Sequence, residues 1–292
     1  MFTEEPSQQQ ITPLPEEHAE PPAVPAAAEV QPTPKPERNE WWTAWIDVGI
    51  AVAAWIVSVI LLAFVPVIYA LPYMIYRIVK FGAPSPESLM SDKTLIFFSV
   101  AGILPTHLLT FVMVWVLVSY AGRRPFWKNI DFGWPPNSSH AMTTLLSVVV
   151  AIVLFSLAYL ITMAYGERKT DLDLMIESSI YTRFATAFVA VVTAPLVEEL
   201  IYRGLIYKAL EKAAGVAIAI VIVSLLFAGV HVFQYRNNLA VIAVITLLSI
   251  TLTVARAVSG KVLPAFIIHL VFNGIQSVLI VLAAFVGKDL IK

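Results

Sequence analysis

The chain has 292 residues, of which 59% are apolar and only 13% are charged, about half the roughly 25% charged residues of an ordinary soluble domain. This composition excludes a soluble globular enzyme. The absence of cysteine excludes disulfides, thiol catalysis and cysteine-ligated metal centres, and the net charge of −1 provides no basic field for nucleic acid.

The N-terminal residues 1–40 are predicted to form a disordered tail. They contain nine of the 19 prolines and eight of the 20 acidic residues. Such a segment has too little apolar surface to offset the entropy lost on ordering. Its acidic start also differs from the basic start of a signal peptide.

Residues 41–292 are predicted to form one membrane-embedded, all-α domain, a polytopic helical bundle. Several apolar runs reach about 20 residues, enough to cross a hydrocarbon core of roughly 30 Å, and open sheet is not stable in lipid. An eighth span would arise if the first one, which contains Pro66 and Pro72, broke in two. The seven predicted spans are 46–76, 95–120, 142–165, 184–210, 214–233, 239–258 and 262–286.

The connecting segments suggest different environments. Residues 121–141 combine aromatic and basic side chains, which is typical of a segment in the headgroup plane, whereas 166–181 is predicted to be an ordinary loop. We find no internal repeat, so the sequence does not support an inverted-repeat transporter. Lysine and arginine are spread evenly over the two sides, so the positive-inside rule does not settle the orientation.

Polar side chains inside apolar spans are costly, and each is therefore a candidate site residue. Glu199 and Arg203 have the i,i+4 spacing that favours an ion pair on a helix. Glu198 lies about 100° further round the same helix and is predicted to face something else. As structural alternatives, Glu199 and Arg203 could be an ordinary ion pair at a helix end, and Glu198 could be a carboxylate at the membrane interface.

Two further pairs with i,i+4 spacing contain histidine. They are Phe227 with His231, and His269 with Asn273. Amide hydrolysis needs a general base for water, a group that assists this base and hydrogen-bond donors for the oxyanion. A carboxylate, a histidine and two donors on one helical face could fill these three roles in that order. Each histidine alone could instead be an interhelical hydrogen-bonding residue. His107 has no partner at helical spacing and is interpreted as packing or cavity lining.

These residues form three motifs in order, namely EExxxR (198–203), FxxxH (227–231) and HxxxN (269–273). In this respect residues 184–280 resemble the family of CAAX proteases and bacteriocin-processing (CPBP, Abi-type) intramembrane proteases. That family is related to the eukaryotic Ras-converting CAAX endopeptidase. The preceding spans match it only in being hydrophobic.

The resemblance implies roles for particular residues. Glu198 and His231 would activate water, while His269 and Asn273 would stabilise the oxyanion. Glu199, Arg203 and Phe227 would support the site.

Metal dependence is the open point. The family is commonly classed as metalloproteases, and Glu198, His231 and His269 could form a two-histidine, one-carboxylate zinc set. The sequence has no HExxH motif, however, and Asn273 is a good amide donor but a poor zinc ligand. We therefore favour a mechanism that requires no cofactor, with Zn²⁺ as the alternative.

The resemblance implies an intramembrane endopeptidase, similar to a CAAX prenyl protease, that cleaves a membrane-embedded or lipid-anchored peptide or protein. We expect a multi-pass protein of a bacterial inner membrane. The alternative is a membrane scaffold or bacteriocin-immunity factor that keeps the family fold and acts by binding.

Overall fold

The computed structural model describes residues 38–165, 169–235 and 238–286. All regular structure in these ranges is helical, as predicted. The tail prediction for 1–40 lies outside the described residues except for 38–40, which already belong to the first helix. The elements are α1 (Arg38–Phe81), α2 (Pro86–Met90), α3 (Lys93–Ala101), α4 (Ile103–Ser119), α5 (Phe126–Asn129), α6 (His140–Tyr165), α7 (Asp171–Ser178), α8 (Ile180–Phe188), π1 (Val189–Thr193), α9 (Ala194–Glu199), π2 (Leu200–Ile206), α10 (Tyr207–Ala214), α11 (Val216–Tyr235), α12 (Leu239–Ser259) and α13 (Val262–Val286).

Six helical segments among the described residues are long and apolar enough to cross a membrane. They are Glu40–Phe81, Lys93–Ser119, His140–Tyr165, Ile180–Ala214, Leu239–Ser259 and Val262–Phe285. A shorter apolar helix, Val216–Val232, coincides with the remaining predicted span. The protein is therefore an integral, multi-pass helical membrane protein.

The first helix does not break at its prolines, so the eighth span does not form. α1 continues through both Pro66 and Pro72 over 44 residues, roughly 65 Å at about 1.5 Å per residue. Near Pro66 the next span approaches closely, because Gly102 has no side chain. A Cβ atom on Gly102 would lie 2.6 Å from the Pro66 Cα.

The predicted loop 166–181 is wrong over residues 171–178, which form the helix α7, and over 180–181, which begin α8. Residues 166–168 of this prediction lie outside the described residues. Thr170 caps α7, and its side chain accepts a hydrogen bond from the main-chain N–H of Asp173. The Asp173 carboxylate accepts in return from the Thr170 N–H at 2.7 Å. This capping box is a local signal of a helix start that the sequence contains.

The segment predicted to lie in the headgroup plane, 121–141, also contributes to the protein core. Phe126 and Ile130 are buried in a cluster with residues of α1, α4, π2, α10 and α11. Ile130 packs where Gly204 leaves space, since a Cβ on Gly204 would lie 2.5 Å from the Ile130 Cγ1. A second cluster joins α6, α12 and α13.

Asp131 connects the same segment to three spans. Its carboxylate lies 2.9 Å from Lys208 Nζ, 3.3 Å from Arg256 Nη2 and 3.5 Å from Lys261 Nζ. Its main-chain carbonyl accepts from the Val262 N–H at 3.0 Å. The start of α13 is thereby tied to the segment that packs against π2.

Two π-helical segments lie within the span Ile180–Ala214, and they enclose the short helix α9. Pro195 is close to the start of α9 and has no N–H to donate to a preceding carbonyl. π-Helical turns are uncommon and often occur at functional sites. The two glutamates of the first motif end α9, directly between these turns.

Candidate active site

The predicted ion pair between Glu199 and Arg203 is present and fully buried. Arg203 Nη1 donates to Glu199 Oε1 at 3.0 Å. The same guanidinium donates to the main-chain carbonyl of Ser249 at 3.0 Å and to the Thr253 hydroxyl at 3.3 Å. It also lies over the Phe227 ring, 4.7 Å from the centroid. Arg203 therefore joins three helices through one side chain.

His269 lies between the two glutamates. Its Nδ1 is 2.9 Å from Glu199 Oε1, and its Nε2 is 3.7 Å from Glu198 Oε2. Because a carboxylate oxygen only accepts, His269 carries a hydrogen on Nδ1. This buried histidine connects α13 to both acids of the first motif.

Glu198 faces a cavity, whereas Glu199 is sealed inside the protein. The cavity has a volume of about 530 Å³ and lies between α1, α4, α11 and the α9–π2 region. Glu198 and His231 both line it, together with His107 and Tyr202. The Glu198 side chain is 24% exposed. The predicted separation of the two neighbouring glutamates is thus confirmed.

His231 is oriented by its own helix. Its Nδ1 lies 2.8 Å from the Phe227 carbonyl oxygen, one turn earlier, and a carbonyl can only accept. The hydrogen is therefore on Nδ1, and Nε2 of the neutral ring is an acceptor. Phe227, whose ring centroid lies 4.9 Å from that of His231, also packs against His269.

Asn273 contacts the turn before the glutamates. Its Nδ2 donates to the main-chain carbonyl of Ala190 in π1 at 2.9 Å. Neither Asn273 nor His269 lines the cavity. The structure thus joins Glu198, Glu199, Arg203 and His269 by direct contacts, places His231 on the cavity of Glu198, and attaches Asn273 to π1.

Four further residues belong to this site. His107 Nδ1 is 2.8 Å from the Thr193 hydroxyl, and Trp55 Nε1 donates to the Tyr202 hydroxyl at 3.0 Å. Tyr202 is at i+4 from Glu198, a spacing that could have indicated a shared face. The partners of His107 and Trp55 are far away in sequence, so no local pattern indicates them.

The proposed zinc set does not fit these positions. Within the described ranges, no three His, Asp or Glu side chains are grouped so that they could hold a metal ion. Glu198, His231 and His269 are therefore not arranged as three converging ligands.

Residues 180–275 match the family model described as Rce1-like type II CAAX prenyl endopeptidase. Over these residues the chain is similar to the CAAX protease family. The match covers about a third of the chain and includes all three motifs. No curated protein and no solved structure matches the chain significantly. The matched segment contains Glu198, His231, His269 and Asn273, while α1 and α4 line the cavity from outside it.

Proposed function

We propose that this CAAX-family protein is an intramembrane endopeptidase that hydrolyses a peptide bond with a water molecule activated by Glu198 and His231. The observation that carries the proposal is the different placement of two adjacent acids. Glu199 is fully buried in an ion pair, whereas Glu198 faces a cavity shared with His231. A solely structural pair of glutamates would not need one of them at a cavity.

In the proposed reaction, Glu198 takes a proton from water while Nε2 of His231 accepts the second hydrogen bond of that water. The oxygen attacks the carbonyl carbon of the substrate. Glu198 then returns the proton to the leaving nitrogen as the C–N bond breaks, which yields a carboxylic acid and an amine. His231 suits this role because its Nδ1 hydrogen is donated to the Phe227 carbonyl.

His269 and Asn273 are proposed to stabilise the developing oxyanion with the N–H groups that remain to them. Because neither lines the cavity, this role requires the substrate carbonyl to reach beyond the cavity lining to these two side chains. The Asn273 amide has two hydrogens, and one is donated to Ala190. A neutral His269 that donates from Nδ1 to Glu199 has no hydrogen on Nε2. Only the imidazolium form of His269 supplies a second donor. Its positive charge, together with that of Arg203, would neutralise the two carboxylates of Glu198 and Glu199.

The mechanism is proposed to require no metal. A glutamate base and N–H donors account for each proton and for the oxyanion charge. The arrangement of Glu198, His231 and His269 supports this version over the zinc alternative, because these three do not form a coordination set.

We propose a membrane-associated substrate, either a lipid-anchored peptide or a membrane-embedded segment. Apart from Glu198, His231, His107 and Tyr202, most of the residues that line the cavity are apolar. The matched family is named for prenyl endopeptidases, which supports a lipid-anchored substrate. The apolar wall includes Val59, Leu62, Ala63, Leu225, Leu226 and Val230.

We propose the inner membrane of a bacterium as the location.

The test uses the full-length protein in proteoliposomes with three quenched fluorescent peptides. One ends in a farnesylated cysteine and three further residues, one is the same peptide without the lipid, and one spans the bilayer. We expect cleavage of at least one lipid-associated peptide and its loss in Glu198→Gln. Glu177→Gln, at an exposed ion pair with Lys169, is the matched control and should remain active. If wild type and Glu198→Gln both bind these peptides and cleave none, the scaffold alternative replaces the enzyme.

A further inference from the structure

A tyrosine of the first motif lies on the wall of the cavity. Tyr202 belongs to π2 and lines the cavity together with Glu198 and His231. The two side chains proposed as oxyanion donors, His269 and Asn273, do not line it. Tyr202 therefore contacts the cavity more directly than either of them.

Three neighbours hold the Tyr202 side chain in place. Its ring packs edge-on against Phe227, with the ring centroids 5.0 Å apart, and the Arg203 guanidinium lies 5.8 Å from its centroid. Trp55 Nε1 of α1 donates a hydrogen bond to its hydroxyl oxygen at 3.0 Å. Because Trp55 also lines the cavity, this hydroxyl lies between two residues of the cavity wall.

The hydrogen of the Tyr202 hydroxyl is not used by this contact. An indole N–H only donates, so the tyrosine oxygen is the acceptor and keeps its own hydrogen. Among the described residues, none places an acceptor within hydrogen-bond distance of that hydroxyl.

Packing alone would therefore account for only half of the arrangement. The contact between α1 and π2 needs the Tyr202 oxygen but not its hydrogen. Tyr202 is only 5% exposed, and a buried donor without a partner is costly. An acceptor on a molecule in the cavity would remove that cost.

We propose that Tyr202 is a further catalytic residue, whose hydroxyl donates a hydrogen bond to the carbonyl oxygen of the scissile peptide bond. This inference rests on the proposed function. When water attacks, the electron pair of the carbonyl bond moves onto that oxygen, and the hydrogen bond to its growing charge strengthens. The N–H of Trp55 polarises the hydroxyl and makes it a better donor. Tyr202 keeps its proton throughout.

The experiment separates the donated hydrogen from the contact with Trp55. Tyr202→Phe removes the hydroxyl and keeps the ring that packs on Phe227. Trp55→Phe breaks the same interhelical hydrogen bond but leaves the hydroxyl in place. The double variant replaces both partners by apolar rings, which leaves neither group unpaired, so it tests the hydroxyl even if Tyr202→Phe alone unfolds. Tyr159→Phe is the control, because Tyr159 is exposed on α6 and does not line the cavity.

The readouts are kcat and KM on the cleaved proteoliposome peptide, with thermal unfolding of each variant. We expect Tyr202→Phe to lose about 10² to 10³ in kcat with KM changed only a few-fold, as is typical for loss of one oxyanion donor. Trp55→Phe should lose less than about tenfold, because the donor remains. Adding Tyr202→Phe to Trp55→Phe should then cost at least about a further 10² in kcat.

A solely structural role predicts a different pattern. If both single variants lose the same activity and the double variant loses no more, the hydroxyl acts only through Trp55 and the inference is overturned. It is also overturned if Tyr202→Phe keeps full turnover while Glu198→Gln is inactive. Turnover that survives Glu198→Gln contradicts the proposed function itself.

Discussion

The side-chain amide of Asn273 donates a hydrogen bond to the main-chain carbonyl of Ala190 at 2.9 Å. That carbonyl lacks its usual helical partner, because the N–H of Ala194 is donated to Val189 instead. The next main-chain position is Pro195, which has no N–H. α13 thus supplies the donor that the helix before the two glutamates is missing.

Asn273→Ala should lower kcat by about 10² to 10³ with little change in KM, because it removes an N–H proposed for the oxyanion. The measurement is steady-state cleavage of the proteoliposome peptide. If turnover stays near normal and only KM rises, Asn273 is a docking residue, and the oxyanion donor must be sought elsewhere.

A second substitution separates the oxyanion role of Asn273 from its contact with π1. Pro195→Ala restores a main-chain N–H close to the Ala190 carbonyl. If the π1 contact contributes to activity, adding Pro195→Ala to Asn273→Ala should recover part of the lost kcat, and a double-mutant cycle measures the coupling. Strictly additive losses would assign the whole effect of Asn273 to the oxyanion.

Arg203→Ala should reduce both folded yield and activity. It leaves the Glu199 carboxylate buried without its cation, and breaking such a pair costs about 3–5 kcal/mol. Arg203→Lys should rescue little, because one ammonium cannot reproduce the contacts to Glu199, Ser249 and Thr253. Yield is measured by size-exclusion chromatography in detergent, with Lys169→Ala, at an exposed ion pair with Glu177, as the control. Normal expression and full activity of Arg203→Ala would contradict a supporting role for this pair.

The spans and the first ion pair could be predicted because both depend on local sequence. Hydropathy needs only about 20 consecutive residues, and the contact between Glu199 and Arg203 follows from one helical turn. The same spacing rule placed Glu198 on a different face from Glu199. These predictions need no knowledge of how the helices pack.

The rest of the site depends on tertiary packing. His107 meets Thr193 across 86 positions, and Asn273 meets Ala190 across 83. The π-helical turns arise where main-chain hydrogen bonding departs from the α pattern, and Pro195 alone does not specify which side chain will replace its N–H. Helix α7, by contrast, was missed although its capping box is visible in the sequence.

The metal question gives two distinct outcomes. If the mechanism is metal-free, activity in proteoliposomes survives a chelator, and metal analysis finds well under one equivalent of zinc. If zinc is required, the chelator abolishes activity, added zinc restores it, and both His231→Ala and His269→Ala lose bound metal. We expect the first outcome, because Glu198, His231 and His269 do not converge as ligands.

The cavity itself can be tested at Gly229, which lines it from α11. A Cβ at this position meets nothing within 4 Å, so Gly229→Leu should fold normally while its side chain fills part of the cavity. Replacing a helical glycine should also favour the helix by up to about 1 kcal/mol. We expect kcat/KM of Gly229→Leu to fall at least about tenfold. The loss should be smaller for Gly229→Ala and larger for Gly229→Trp, because the space lost from the cavity grows with the side chain.

Gly49→Leu is the matched control, because Gly49 has equally open surroundings on α1 but does not line the cavity. Thermal unfolding shows whether both leucine variants are folded. An unchanged kcat/KM in folded Gly229→Leu would mean that the substrate does not occupy this cavity.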